Sequence, residues 1–198
     1  MKKIVLILLL MQQSITHSQN NLNSDWANLN KYQKENLEII PSSKNMVFMG
    51  DSITEFWKVN DSIFFSQNPF INRGISGQTT SQMAHRFQQD VINLKPSTVV
   101  ILAGINDIAE NSGPISLNEI LNNIIKMVAL ANENQIKAIL CSVLPANKFY
   151  WNPKIKPADK VIELNTLIEN YALENNIPYV DDYSAMVDSN KGLQLQYG

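Results

Sequence analysis

The chain has 198 residues, of which 44% are hydrophobic and 17% are charged, so it can bury a core and is not disordered. Its 16 basic and 18 acidic residues give a formal net charge of −2, and no basic stripe indicates a nucleic-acid partner. A single cysteine excludes a disulfide framework, and two histidines argue against a histidine-rich metal centre. These numbers favour one small α/β domain that acts as an enzyme or a binding module.

Residues 1–18 have the pattern of a secretory signal peptide. A basic start at residues 1–3 precedes an apolar run at residues 4–11, and a polar stretch follows. The apolar run is too short to cross a bilayer as a helix. We therefore predict export to a periplasm or beyond, with cleavage near Ser18 and no stable membrane insertion afterwards. The alternative is an N-terminal core strand.

An N-terminal helical segment is predicted over residues 19–43, ahead of the main domain. Residues 26–40 have the pattern of a helix, with a polar cap at residues 23–24 and an end at Pro41. The remaining residues, 44–198, show no repeat, no low-complexity linker and no internal boundary. They are predicted to form a single domain.

Apolar runs alternate with amphipathic helical patterns along the predicted domain. The runs, which lack polar alternation, are residues 46–49, 70–71, 99–102, 138–143 and 177–180. The helical stripes are Met83, Phe87 and Val91, then Leu117 to Val128 behind the capping box Ser116-x-x-Glu119, then Val161, Leu164, Ile168 and Tyr171 after Pro157. Buried strands separated by such helices predict a parallel sheet covered on both faces.

Candidate functional residues follow the predicted strands, because ligands bind at the carboxyl ends of parallel strands. After the first strand, Ser52 of Gly50-Asp51-Ser52 has the place of a nucleophile at a helix N-terminus, or simply of a helix cap. After the second strand, Gly74 brings backbone N–H groups close to a ligand, or only makes a tight turn. After the third strand, Asn106 has an amide suited to a developing oxyanion, although asparagine is abundant in this chain.

The fourth predicted strand and the loop after it contain two further features. Phe149, Tyr150 and Trp151 form a local aromatic cluster in the loop after it, suited to stacking on a sugar or covering an acyl group; core packing is the alternative. Cys141 lies within the apolar run itself and is predicted to be a buried, inert thiol.

Taken together, Gly50-Asp51-Ser52, Gly74 and Gly104-x-Asn106-Asp107 resemble the SGNH (GDSL) hydrolases over roughly residues 44–198. The resemblance implies a flavodoxin-like three-layer α/β/α sandwich and serine ester hydrolysis without metal or cofactor. It also implies Ser52 as nucleophile, with an oxyanion hole made by the Ser52 N–H, the Gly74 N–H and the Asn106 side chain. Asp51 and Asp107 would stabilise turns rather than catalyse.

The family's general base is missing from its expected place. The family supplies it from an Asp-x-x-His block near the C-terminus, whereas Asp188 here is followed three residues later by Lys191. Of the two histidines, His17 lies in the predicted signal peptide, and His85 is predicted to be structural because it lies on the helix after the second strand. We therefore expect that this sequence lacks the C-terminal end of the domain.

The sequence predicts an exported serine ester hydrolase that acts on short acyl esters, with acetylated saccharides as the first substrate class. A lipase- or thioesterase-type acylhydrolase is one alternative, and an extended apolar groove would favour it. A non-catalytic binding domain is a second alternative, favoured by the missing histidine. A third alternative, a flavodoxin-like cofactor binder using Ser52 and Thr54, is disfavoured by export and by the matches at Gly74 and Asn106.

Overall fold

The structure, a computed structural model, describes residues 25–197, in which strands alternate with helices. The strands are β1 Met46–Gly50, β2 Phe70–Gly74, β3 Thr98–Leu102, β4 Lys137–Cys141 and β5 Tyr179–Val180. The helices are α1 Asn30–Glu38, α2 Ser52–Asn60, α3 Ser62–Ser66, α4 Thr80–Asp90, α5 Ile105–Ile108, α6 Leu117–Glu133, α7 Ala158–Glu174 and α8 Asp182–Met186. Short 3₁₀ turns lie at Ile92–Leu94 and Leu195–Tyr197. The predicted signal peptide and the predicted cap at residues 23–24 lie outside the described residues.

The sheet is parallel throughout and has the strand order β2-β1-β3-β4-β5. Met46 of β1 pairs with Phe70 on one side and with Thr98 on the other, so the carboxyl ends of the three strands are in register. This order is the flavodoxin-like one, in which the ligand site lies where the direction of winding reverses, between β1 and β3. The predicted α/β/α fold with a parallel sheet is confirmed.

The main core lies between the sheet and the helices α4, α6 and α7. Its strand residues include Val47, Met49, Val99, Ile101 and Leu140, all at most 1% exposed, and their side chains alternate along the strands with those on the opposite face. The predicted stripes of α4, α6 and α7 supply the helical side of this core. Among residues 25–197, no helix combines the length and the apolarity needed to cross a bilayer.

The second face of the sheet is covered over β1 and β2 by α2 and α3. The ring of Phe48 lies 5.3 Å from that of Trp57 and 5.3 Å from that of Phe70, within an aromatic cluster. Farther along the same face, Val100 and Leu102 of β3 are only half-buried and border an apolar cavity of about 70 Å³. The described residues therefore cover this face less completely than the main core.

Two predicted boundaries are wrong, because side chains from elsewhere in the chain bond the backbone there. One helix begins later than predicted, and one strand ends earlier. Helix α1 begins at Asn30 rather than residue 26, since the Asp25 carboxylate accepts hydrogen bonds from the N–H groups of Leu29 and Asn30, at 2.6 and 2.8 Å. Strand β4 ends at Cys141, two residues before the predicted end. There the Asn165 side chain bonds both the N–H and the carbonyl of Val143, at 2.7 and 2.9 Å, in place of a neighbouring strand.

Candidate active site

Ser52 lies at the turn from β1 into α2, where it is the first residue of the helix and half-buried. The preceding residue, Asp51, caps the helix, and its carboxylate accepts a hydrogen bond from the Ile53 N–H at 2.9 Å. The remaining N–H groups of the first turn and the helix dipole favour negative charge at this place. A strand-to-helix turn therefore holds the Ser52 hydroxyl at the carboxyl edge of the sheet, as the sequence analysis expected of this motif.

Asn106 lies beside Asp51 at the same edge. It belongs to α5, which follows β3, and it is 6% exposed. Its Nδ2 donates hydrogen bonds to Asp51 Oδ2 at 3.2 Å and to the Gln78 carbonyl at 3.1 Å. The structure thus brings Asn106 next to the residue that precedes Ser52, with one N–H directed toward the turn and the other toward the loop that follows β2.

Gly74 lies at the end of β2, but its own contacts argue against the role that the resemblance implies. Its N–H donates to Asn72 Oδ1 at 2.9 Å, so this backbone donor is already occupied. A Cβ at Gly74 would approach the Asp51 carbonyl to 2.7 Å, so a glycine is needed for close packing of β2 against α2. Gly74 therefore acts through packing beneath the turn in this structure.

Gly77, three residues farther along the same loop, has the geometry that Gly74 lacks. It is exposed, has a φ of 77°, and no residue among 25–197 accepts a hydrogen bond from its N–H. The Glu55 carboxylate accepts from both the N–H and the hydroxyl of Ser76, each at 2.7 Å, which ties this loop to the first half of α2. Gly74 ends β2 and Gly77 follows only three residues later, so the sequence pattern alone does not distinguish between them.

A buried arginine, which no sequence motif indicated, stabilises this edge from the side of α4. Arg86 of α4 donates from Nη2 to the carbonyls of Gly50 and Arg73, at 3.2 and 2.7 Å, and it pairs with Asp90 at 2.9 Å. Its Nε donates to Gln78 Oε1 at 2.6 Å. One side chain therefore ties together the ends of β1 and β2 and the loop that contains Gly77. The only sequence signal was the charge pair four residues apart on one helix.

Asp51 and Asp107 hold turns, as predicted. The Asp107 carboxylate accepts hydrogen bonds from the Thr80 N–H at 2.9 Å and from the Thr80 hydroxyl at 2.6 Å, at the start of α4. Burial, with a smaller contribution from the nearby charge of Asp107, raises the pKa of Asp51 to about 6. Burial likewise raises the pKa of Asp107 to about 6. Both carboxyl groups therefore bind protons more readily than ordinary aspartates.

These raised pKa values predict an unusual dependence of stability on pH. Between about pH 4 and pH 6 the folded protein holds protons on Asp51 and Asp107 that the unfolded chain releases, so the free energy of unfolding should fall as the pH rises. A shift from 3.8 to about 6 corresponds to at most about 3 kcal/mol for each group. Urea unfolding at pH 4, 5, 6 and 7 measures it. Asp107→Asn should flatten the dependence, and an unchanged slope in that variant would contradict the assignment.

His85 lies away from this edge. It is exposed on α4, and its ring centroid is 5.2 Å from that of Trp26, near the start of the described residues. Its neighbours Arg86 and Phe87 are the residues that face the interior. A general base must reach the serine hydroxyl within about 3 Å or through one water, and this placement suits a surface residue instead.

Replacement of His85 by glutamine is therefore expected to leave ester hydrolysis within about twofold of the wild-type rate, because general acid–base groups contribute about 10²–10⁴-fold and this histidine contributes no such step. Initial rates with an aryl acetate over a range of pH measure this. If His85→Gln lowered kcat by several orders of magnitude, the histidine would be the base and its assignment to the surface would be wrong.

The predicted aromatic cluster divides between core and surface. Phe149 is 2% exposed and packs in the main core, so the prediction that it contacts substrate is wrong. Tyr150 and Trp151 are 81% and 65% exposed in the loop between β4 and α7. This loop contacts α5, where Asn152 Nδ2 donates to the Ala109 carbonyl at 3.5 Å. The loop that carries the two exposed rings therefore borders the end of α5, the helix that contains Asn106.

Cys141 has the buried environment that the sequence predicts. It is 8% exposed, and burial together with the nearby Asp182 raises the pKa of its thiol to about 12. A thiol with so high a pKa is a poor nucleophile, so Ser52 is the better candidate at this edge. Within residues 25–197, no group of three or more His, Cys, Asp or Glu side chains is arranged to hold a metal ion.

The strand order, the serine between β1 and α2, and the asparagine after β3 correspond to the flavodoxin-like α/β/α hydrolases. The chain matches the family described as GDSL-like Lipase/Acylhydrolase over residues 48–198. It therefore belongs to the GDSL-like lipase/acylhydrolase family and is by family a carboxylic ester hydrolase.

Two solved structures from Bacteroides species are similar to this chain over most of their length. A candidate acylhydrolase from Bacteroides fragilis is 49% identical with a TM-score of 0.87, and the match covers 89% of this chain and 87% of that one. A GDSL-like lipase from Bacteroides thetaiotaomicron is 47% identical with a TM-score of 0.85, covering 87% and 86%.

A curated relative is more distant. The uncharacterized lipoprotein YqeF of Bacillus subtilis (strain 168) is 26% identical over an alignment of 140 residues, and the match covers 62% of this chain. The match spans 58% of that relative's length.

Proposed function

We propose that the protein hydrolyses short acyl esters through an acyl-enzyme formed on Ser52. The observation that carries this proposal is the placement of Ser52 at the N-terminus of α2. The buried amide of Asn106 lies close by, bonded to the side chain of Asp51, the residue before Ser52. The hydroxyl oxygen would attack the ester carbonyl, and the alcohol would leave to give an acyl-serine. Water would then attack the acyl-serine and regenerate the hydroxyl, so that no cofactor is consumed.

The oxyanion of each tetrahedral intermediate needs N–H donors already in place. We assign these to the Ser52 N–H, the Asn106 Nδ2 and the Gly77 N–H, with Gly77 replacing Gly74 because the Gly74 N–H is bonded to Asn72. The hydrogen bond from Asn106 Nδ2 to Asp51 Oδ2, at 3.2 Å, is the longer of the two that this nitrogen donates. An oxyanion would replace this bond or share its hydrogen. The remaining bond to Gln78 would hold the amide in place during the exchange.

The described residues bring no histidine to this edge, since His85 lies on the outer surface of α4. A polypeptide limited to residues 19–198 is therefore expected to turn over esters slowly, because positioning and oxyanion donors alone leave only about 10³–10⁴-fold of catalysis over water. Comparison of its turnover with that of the Bacteroides thetaiotaomicron relative under the same conditions measures this. Equal turnover would mean that an unassigned base acts within these residues.

Acetylated saccharides are our proposed substrate class. The exposed rings of Tyr150 and Trp151 have the flat apolar faces that stack on sugars, and they belong to the loop after β4, which contacts the end of α5. The nearby apolar cavity of about 70 Å³ is small and offers no extended groove for a long acyl chain. Export, proposed from residues 1–18 and supported by the lipoprotein relative, would bring the enzyme to polymeric substrates outside the cytoplasm.

The test combines covalent labelling with a series of acyl chain lengths. A fluorophosphonate should label the protein on the peptide that contains Ser52, as read by mass spectrometry. Hydrolysis of aryl acetate, butyrate and octanoate should fall with chain length, and acetate should be released from an acetylated oligosaccharide. Labelling of a different residue would overturn the nucleophile, whereas a preference for octanoate would indicate a lipase- or thioesterase-type acylhydrolase.

A non-catalytic binding domain is the second candidate, favoured by the position of His85. In that case the same saccharide would bind without acetate release, and Trp151→Ala would weaken binding. Isothermal titration with the deacetylated and the acetylated oligosaccharide distinguishes the two functions, since an active esterase would convert the second ligand into the first.

A further inference from the structure

The short helix α5 ends in a backbone motif that places Asn111 directly beside Asn106. Glu110 has a φ of 61°, its N–H donates to the Asp107 carbonyl at 2.9 Å, and the Asn111 N–H donates to the Asn106 carbonyl at 3.0 Å. These two bonds around a left-handed residue form a Schellman motif, which closes a helix and fixes the residue after it. The position of Asn111 is therefore determined by backbone hydrogen bonds rather than by its side chain alone.

The side chain of Asn111 then bonds two of the three residues to which we assigned oxyanion donors. Its Nδ2 donates to Asn106 Oδ1 at 3.0 Å and to the Gly77 carbonyl at 3.2 Å. An amide nitrogen carries two hydrogens, so it can make both bonds at once. One exposed asparagine thus links the side-chain donor on α5 to the loop that carries the backbone donor.

We propose that Asn111 is a positioning residue for ester hydrolysis, which sets the orientation of the Asn106 amide and holds the Gly77 loop against it. This inference rests on the proposed function. An amide has two faces of opposite polarity, and only one orientation directs Nδ2 toward the Ser52 turn. Because Asn111 presents a donor, the oxygen of Asn106 faces Asn111, and the nitrogen faces Asp51 and Gln78.

The decisive variant is Asn111→Asp, which keeps the size of the side chain and replaces the donor by an acceptor. The Asn106 amide is then expected to turn its nitrogen toward the new carboxylate and its oxygen toward the Ser52 turn. With an aryl acetate, kcat should fall by about 10²-fold, as for loss of one oxyanion donor, while KM changes by less than about threefold. Asn111→Ala should lose less, about tenfold, because it removes the bond without inverting it.

Two controls separate positioning from added charge. Asn118→Asp introduces the same charge on the exposed first turn of α6 and should leave kcat unchanged. In an Asn106→Ala background, Asn111→Asp should cost no more than about tenfold, because the bond to Gly77 is still lost there but the orientation of Asn106 no longer matters. A further 10²-fold loss in that background would show a direct charge effect and overturn the proposal.

Nuclear magnetic resonance of the side-chain amides tests the same point without turnover. The Asn106 amide signals are assigned by their absence in Asn106→Ala. They should shift in Asn111→Asp and stay in place in Asn118→Asp. Thermal melting of each variant checks that it is folded. Unchanged Asn106 signals in Asn111→Asp would overturn the positioning role. If the wild-type rate is insensitive to Ser52→Ala, the proposed function fails instead, and the amide shifts still report whether Asn111 orients Asn106.

Discussion

Replacing Ser52 by alanine in a protein that carries the family's C-terminal Asp-x-x-His block is expected to reduce ester hydrolysis by about 10³-fold or more, because no acyl-enzyme can form without the hydroxyl. Ser52 is the first residue of α2 and only half-buried, so the loss of one oxygen should change stability by no more than about 0.5 kcal/mol. The measurement is the initial rate with an aryl acetate, together with labelling by a fluorophosphonate, which the variant should no longer show.

Ser112→Ala is the matched control for this substitution. Ser112 is an exposed serine whose hydroxyl lies 3.3 Å from that of Thr79, and its removal should leave the rate and the labelling unchanged. Full activity in Ser52→Ala would show that another group accepts the acyl chain or activates water. Loss of activity in both variants would indicate a general disturbance of the edge rather than loss of the nucleophile.

Replacing Asn106 by alanine is expected to lower kcat by about 10²–10³-fold while KM stays close to its wild-type value, because an oxyanion donor acts mainly in the transition state. Asn106 also bonds Asp51 and the Gln78 carbonyl inside the protein, at 3.2 and 3.1 Å. Its removal leaves a buried acceptor unpaired and should cost about 1–3 kcal/mol of stability. Kinetics are therefore measured at a temperature at which urea unfolding shows the variant to be fully folded.

Asn165→Ala provides a control of similar structural cost. Asn165 is buried on α7 and bonds the N–H and the carbonyl of Val143, at 2.7 and 2.9 Å, and it has no assigned part in the reaction. It should lose comparable stability with little change in kcat. A rise in KM alone in Asn106→Ala would indicate that Asn106 binds the ground-state substrate and is not an oxyanion donor.

The local sequence pattern determined the layers of the fold and the place of the nucleophile candidate. Runs such as Val99 to Leu102 are apolar without alternation, and only a sheet covered on both faces buries such strands. The capping box of Ser116 and Glu119 contains its own hydrogen bonds, so it predicts the start of α6 correctly. The place of Ser52 follows from these features, because it comes directly after a strand and the carboxyl ends of parallel strands lie at the ligand edge of the sheet.

Strand β2 shows why part of the fold was not visible in the sequence. Asn72 and Arg73 are polar, so the predicted strand stopped at residue 71, yet both are at most 2% exposed in the strand. The Arg73 guanidinium lies 4.5 Å from the Tyr32 ring and 3.0 Å from the Glu35 carboxylate. Partners supplied by α1 offset the cost of burying this charge, and no local pattern reveals partners so distant along the chain.

The same distinction applies to the candidate site. Their positions after predicted strands placed Gly74 and the aromatic loop near the sheet edge, but which backbone N–H is free and which ring is exposed depends on neighbours in space. Asn72 occupies the Gly74 N–H, and the main core takes up Phe149 while Trp151 remains at the surface. The sequence alone therefore determined which residue types reach the carboxyl edge. Tertiary packing decided which of them present a free donor or an exposed ring there, because hydrogen-bond partners and burial are set by contacts between distant segments.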